Sequence, residues 1–94
     1  MIKTDFILAE HDDGSISVSY EDYEVEAFGG ADYEASYSLD PVNAGKLRTF
    51  LKVTDTYSLK EAITDYFGIY LDQKSFAAEC DENGIKYDLF TWIS

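Results

Sequence analysis

His11 stands beside Asp12 and Asp13, an imidazole next to two carboxylates that could bind a metal ion or pass a proton. The chain has one histidine and one cysteine, Cys80, so this group lacks the further ligands a metal centre needs and reads as a solvated hairpin end. Asp12-Asp13-Gly14 and Asp81-Glu82-Asn83-Gly84 each echo a calcium loop. Neither has alternating acids with glycine at the sixth position and glutamate at the twelfth. Cys80 follows Phe76 by one helical turn and reads as a small core residue rather than a nucleophile. Glu24 and Glu26 have the spacing to share one side of a strand. They could form an acid/base couple, but nothing in the sequence builds an apolar concavity around them, so they read as an exposed face. Gly29-Gly30 lies between two strands, not between a strand and a helix, and so makes no phosphate cradle. No catalytic residue, metal ligand or cofactor is expected, and the chain reads as non-enzymatic.

What does stand out is charge. The net charge is −12, yet residues 1–40 hold 11 of the 19 acids and one base, Lys3, a local charge of −10. The densest run is Tyr20 to Glu34. Direct binding to nucleic acid is disfavoured, because neutralising phosphates takes Lys and Arg. Anionic membrane surfaces would repel the chain for the same reason. The N-terminal apolar stretch is too short for a signal peptide or a span. A single cysteine suits a reducing compartment, so the expected location is cytoplasmic. Apolar residues make up 46% and aromatics 16% of the 94 residues, enough for one folded domain and too much for intrinsic disorder.

The elements that must position these side chains change character at the lone proline, Pro41. Before it, Phe6, Leu8, Ile16, Val18 and Tyr20 alternate with polar neighbours, as strands do. Pairing Leu8 with Val18 leaves Asp12-Asp13-Gly14 as a three-residue loop, with Gly14 in the left-handed conformation. A second hairpin with the loop Gly29-Gly30-Ala31 pairs Val25 with Ala35 and Tyr23 with Tyr37. It sets Glu26 against Glu34, gathering Asp22, Glu24, Glu26, Asp32 and Glu34 on one face. A change of phase near Glu21-Asp22 marks a bulge or a tight bend, compatible with four antiparallel strands or with two long bent hairpin arms. In this reading Tyr20, Tyr23, Tyr33 and Tyr37 go to the core.

After Pro41 the period is helical. Asp40-Pro41 is a helix start, with Val42, Leu47, Phe50 and Leu51 as the apolar side. Ser58-Leu59-Lys60-Glu61 is a capping box opening a helix whose apolar side is Leu59, Ala62, Ile63, Tyr66 and Phe67. A third helix is expected over 72–83, burying Phe76 and Cys80, and then a strand over 85–93. The expectation is an α+β domain over 1–94: acidic β-hairpins in 1–40, two to three helices in 41–84 and a C-terminal strand in 85–94. The sheet is mainly antiparallel, with the helices packed on one face.

In size, acidic face and lack of a catalytic set, the chain resembles small acidic inhibitor proteins of bacteria and phages. These are the DNA-mimicking anti-CRISPR and anti-restriction proteins and the immunity proteins that block nuclease toxins. Phe76-Ala77-Ala78-Glu79-Cys80 and Gly84-Ile85-Lys86-Tyr87 are similar to segments of small Gram-positive bacterial proteins. The resemblance implies an inhibitor docking an acidic hairpin onto the basic groove of a nucleic-acid-handling protein such as a nuclease. The expected contact residues are Glu21, Asp22, Glu24, Glu26, Asp32 and Glu34. The alternative is an adaptor that homodimerises or binds through an aromatic patch, Phe90 and Trp92, on the last strand.

Overall fold

The computed structural model describes residues 2–3, 6–25, 29 and 31–93. Strands β1 (Ile2–Lys3), β2 (Ile7–Glu10), β3 (Ile16–Val25) and β4 (Ala31–Leu39) precede helices α1 (Pro41–Leu51), α2 (Leu59–Phe67) and α3 (Gln73–Glu82). Strand β5 (Asp88–Ile93) closes the chain of elements. The sheet is antiparallel throughout, in the order β1-β3-β4-β5, with β2 also on β3. This is the expected α+β architecture.

The first hairpin has the expected register. Leu8 pairs with Val18, and the His11 amide donates to the Ser15 carbonyl at 2.9 Å. That closes a three-residue loop in which Gly14 takes φ +93°, a conformation in which a side chain would be strained.

The second hairpin does not keep the expected register. Ile16 pairs with Leu39, Val18 with Tyr37, Tyr20 with Ala35 and Glu21 with Glu34, with Val25 opposite Ala31 beyond a shift between Asp22 and Val25. Tyr23 is therefore not opposite Tyr37, nor Val25 opposite Ala35. The reason is that β3 is one long strand serving both hairpins. Its apolar residues Ile16, Val18 and Tyr20 must lie against Leu39, Tyr37 and Ala35, and all six are buried. A slip of one residue would turn every one of them to the wrong face. The irregularity falls just past the expected Glu21-Asp22 position and absorbs the mismatch near the turn.

The helices cover that apolar face. In α1 the Asp40 carboxylate accepts from the Asn43 amide at 2.8 Å, with Pro41 in the first turn. Val42, expected inside, is 68% exposed, and Asn43 is buried instead. Asn43 earns the inward position by hydrogen bonding: its Oδ1 accepts from the Lys86 amide at 2.8 Å and its Nδ2 donates to Asp40 at 2.9 Å. Arg48 donates to the Gly14 carbonyl and pairs with Glu10, both at 3.4 Å, tying α1 to the first hairpin. In α2, Ser58 accepts from the Glu61 amide at 3.1 Å, as a capping residue should. Tyr66, also expected inside, is exposed and rests edge-on against Phe50. Asp72 caps α3 and Asn83 ends it, with Phe76 and Cys80 buried. Strand β5 starts three residues later than expected, since Ile85 is buried with its amide on the Cys80 carbonyl at 2.8 Å.

Phe76 sits where the layers meet. Its ring lies 4.9 Å from Tyr37 of β4, 5.2 Å from Phe67 of α2 and 6.4 Å from Tyr87 ahead of β5. Tyr20 and Tyr37 are buried, and Tyr33 is half-buried against the same core. The side chain of Tyr23 lies outside the described residues. Among the described residues, no helix is long and apolar enough to cross a membrane.

The helix caps give the fold a signature on acidification. Hydrogen bonds from the Asn43 amide and side chain hold the Asp40 carboxyl below the usual carboxylate range. A carboxyl depressed in the folded state contributes stability that is present above its unfolded pKa and lost as pH falls through the lower folded value. Asp40→Asn keeps the capping oxygen but cannot titrate, so it should flatten the fall of thermal midpoint as pH drops below about 4. A slope identical to that of the wild type would remove Asp40 from this account.

Candidate functional site

Alternation along the strands sends the apolar residues of β3 and β4 towards the helices and their neighbours to the opposite, outer face. Three cross-strand rows run over that face from β3 through β4 to β5. They are Glu21–Glu34–Trp92, Ser19–Ser36–Phe90 and Ser17–Ser38–Asp88. On the far side, Ile7 and Ala9 of β2 continue the Ser19 and Ser17 rows. The centre is small and polar, with Ser19 and Ser36 hydroxyls 3.1 Å apart. Its β5 border is aromatic: the rings of Phe90 and Trp92 stack at 6.4 Å with 26° between their planes, and both are half-exposed, at 53% and 50%. None of the described helices packs on this face.

Acids occur in both layers, whereas the cations lie almost entirely outside the strands. Strands β2 to β5 contain Glu10, Glu21, Asp22, Glu24, Asp32, Glu34 and Asp88, and no Lys or Arg. Of the seven cations, Lys46, Arg48 and Lys52 lie on or at the end of α1, Lys60 on α2 and Lys74 on α3, with Lys86 ahead of β5; Lys3 alone is on a strand, β1, in register with Asp22. Several are committed locally: Lys46 donates to the Gly84 carbonyl at 3.2 Å, and the Lys60 ammonium stands 3.6 Å above the Phe6 ring.

Of the six acids expected at the contact surface, Glu21 and Glu34 are brought directly opposite each other, at partly exposed positions. Asp22 is in register with Tyr33, Glu24 falls in the irregular stretch before Val25, and Asp32 lies between Ala31 and Tyr33 on β4. For these three the strand backbone is described and the side chains are not; Glu26 lies outside the described residues. The neighbour of Glu34 is therefore Glu21 rather than Glu26. The acidic and aromatic patches, read from the sequence as separate, meet in one row because Glu34 is in register with Trp92.

The other chemical candidates are occupied by structural work. His11 lies on the first hairpin with Nε2 3.3 Å from the Ser17 hydroxyl. A cleft of about 350 Å³ at one end of the sheet is lined in part by Asp13, Asp40, Asn43, Lys86 and Asp88. Asp13 already accepts from the Ser15 amide at 2.8 Å and hydroxyl at 2.6 Å, and Asp40 caps α1. Among the described residues, no group of three or more His, Cys, Asp or Glu side chains is placed to hold a metal ion. Burial, with Asp81 and Glu79 nearby, pushes the Cys80 thiol up to about 11, which keeps it protonated and a poor nucleophile at neutral pH.

No family model, curated protein or solved structure matches this chain.

Proposed function

We propose that this is a non-enzymatic acidic binding protein that presents the outer face of its sheet to a basic surface of a partner protein, in the manner of an inhibitor. One observation carries the reading: strands β2 to β5 contain seven acids and no Lys or Arg, Lys3 of β1 being the one cation among the strands, and on the outer face the facing pair Glu21 and Glu34 lies in register with the half-exposed Trp92. Solubility needs net charge but not the near-exclusion of cations from one layer. Setting two carboxylates opposite each other on neighbouring strands works against folding, so the arrangement suits a task outside the fold. A basic groove that ordinarily holds nucleic acid is the partner surface with the matching chemistry, and a nuclease is one example. Carboxylates then steer association, while a rigid indole at the border of the face supplies an aromatic anchor.

Capture from a bacterial lysate at low and moderate salt tests this. The expected result is a basic, nucleic-acid-handling protein whose retention falls steeply as salt rises. Retention indifferent to salt, or capture only of proteins without a basic surface, would contradict the reading.

A further inference from the structure

Strand β5 is an edge, and it lacks the protections that the opposite edge has. On the β3 side the border is divided between β1 and β2. There the Phe6 amide donates to the Ile69 carbonyl at 3.3 Å, Lys60 donates to the Phe6 carbonyl, and Glu10 pairs with Arg48. Interruption, charge and covering loops are the usual means of stopping a sheet edge from pairing with another chain. By contrast, β5 pairs with β4 without a break from Asp88 to Ile93. Its sequence Asp-Leu-Phe-Thr-Trp-Ile contains no proline, glycine or lysine and is rich in residues that favour strands. No described residue pairs with its other side. Both faces of this edge are open: Leu89 towards the helices is 48% exposed, and Phe90 and Trp92 on the outer face are half-exposed.

We infer that the free edge of β5 accepts an extended basic segment of the partner as an added strand, an inference that rests on the binding function proposed above. Main-chain hydrogen bonds would supply affinity and alternate side chains specificity, as in other strand-addition complexes. The charge of the sheet selects the occupant. Residues of the added strand opposite Asp88, Phe90 and Trp92 would share their face. A guanidinium there stacks on the indole and reaches towards Glu34, in register on the next strand about 4.8 Å further in. The occupant is therefore a segment with Arg or Lys at every second position. A second copy of this chain fits poorly, since its own β5 brings Asp88 and no cation on a molecule of net charge −12.

The test uses a short end-capped peptide alternating arginine and valine, titrated into the full chain at low salt, and two relatives of it. One is N-methylated at every arginine and the other at every valine. In an extended strand alternate amides point to opposite edges, so only one series removes the donors that face β5. The expected result is that one methylated peptide binds about tenfold more weakly or worse while the other matches the parent, and that Trp92→Ala weakens the parent. If both methylated peptides bind as well as the parent, or lose affinity equally, strand addition is overturned while the basic-partner reading stands. If the parent does not bind at all, both fall. A dimer in light scattering without peptide, lost in Trp92→Ala, would show that a second copy takes the edge and would also overturn the inference.

Discussion

Phe76→Ala is expected to lower the free energy of unfolding by about 3–5 kcal/mol, the largest loss from any single truncation in this fold. The ring is fully buried, and its neighbours Tyr37, Phe67 and Tyr87 come from three separate parts of the chain. Those neighbours are held by their own elements, so they cannot collapse into the space a missing phenyl ring leaves. The lost burial and the cavity then add together. Domains of this size have about 5–15 kcal/mol in total, so the variant should sit near the edge of folding. Urea denaturation is the measurement. Phe76→Leu, which fills more of the volume, should recover a large part of the loss; a Phe76→Ala midpoint close to that of the wild type would mean that the helix and sheet layers do not depend on this contact.

Much of that core could be read before the structure. The helix starts at Asp40 and Ser58, the stops at Gly68 and Gly84, and the inward positions of Leu47, Ile63, Phe76 and Cys80 follow from local capping and period. The first hairpin could be read for the same reason, since a three-residue loop with glycine at its end fixes the register. The second hairpin could not be read from its glycines. Its register is set at the far end of the strands, where Ile16-Ser17-Val18-Ser19-Tyr20 mirrors Ala35-Ser36-Tyr37-Ser38-Leu39. Matching serine to serine and apolar to apolar gives the observed pairing, a signal present in the sequence and stronger than the turn. Helical period, which ranks by hydropathy, puts Val42 inside, whereas the structure buries Asn43. Such a ranking cannot foresee a buried amide satisfied by Asp40 and by the Lys86 main chain.

The correction of register also changed the candidate site. With Glu34 beside Glu21 rather than Glu26, the acidic surface reaches from the middle of β3 across β4 to the aromatic border of β5. The charge excess and the aromatic tail strand, two rival explanations when read separately, become parts of one surface. The tyrosines interleaved with the acids contribute to it from below, since Tyr20 and Tyr37 are buried and hold the strands against the helices.

The proposed docking depends on the position of the negative charge, and not only on its amount. It is tested most directly by comparing partner affinity for two variants with the same net charge. Glu21→Lys with Glu34→Lys reverses the outer face; Asp55→Lys with Glu82→Lys makes the same change at exposed positions on the helix side of the chain. Reversing charges inside a docked face costs about 2–4 kcal/mol, roughly 30- to 1,000-fold in affinity, whereas distant charges act only through a screened field. A loss of this size is expected for the first pair and less than about threefold for the second at moderate salt, with both variants retaining the wild-type melting transition. Equal losses for the two pairs would contradict this dependence on position and leave net charge alone as the explanation.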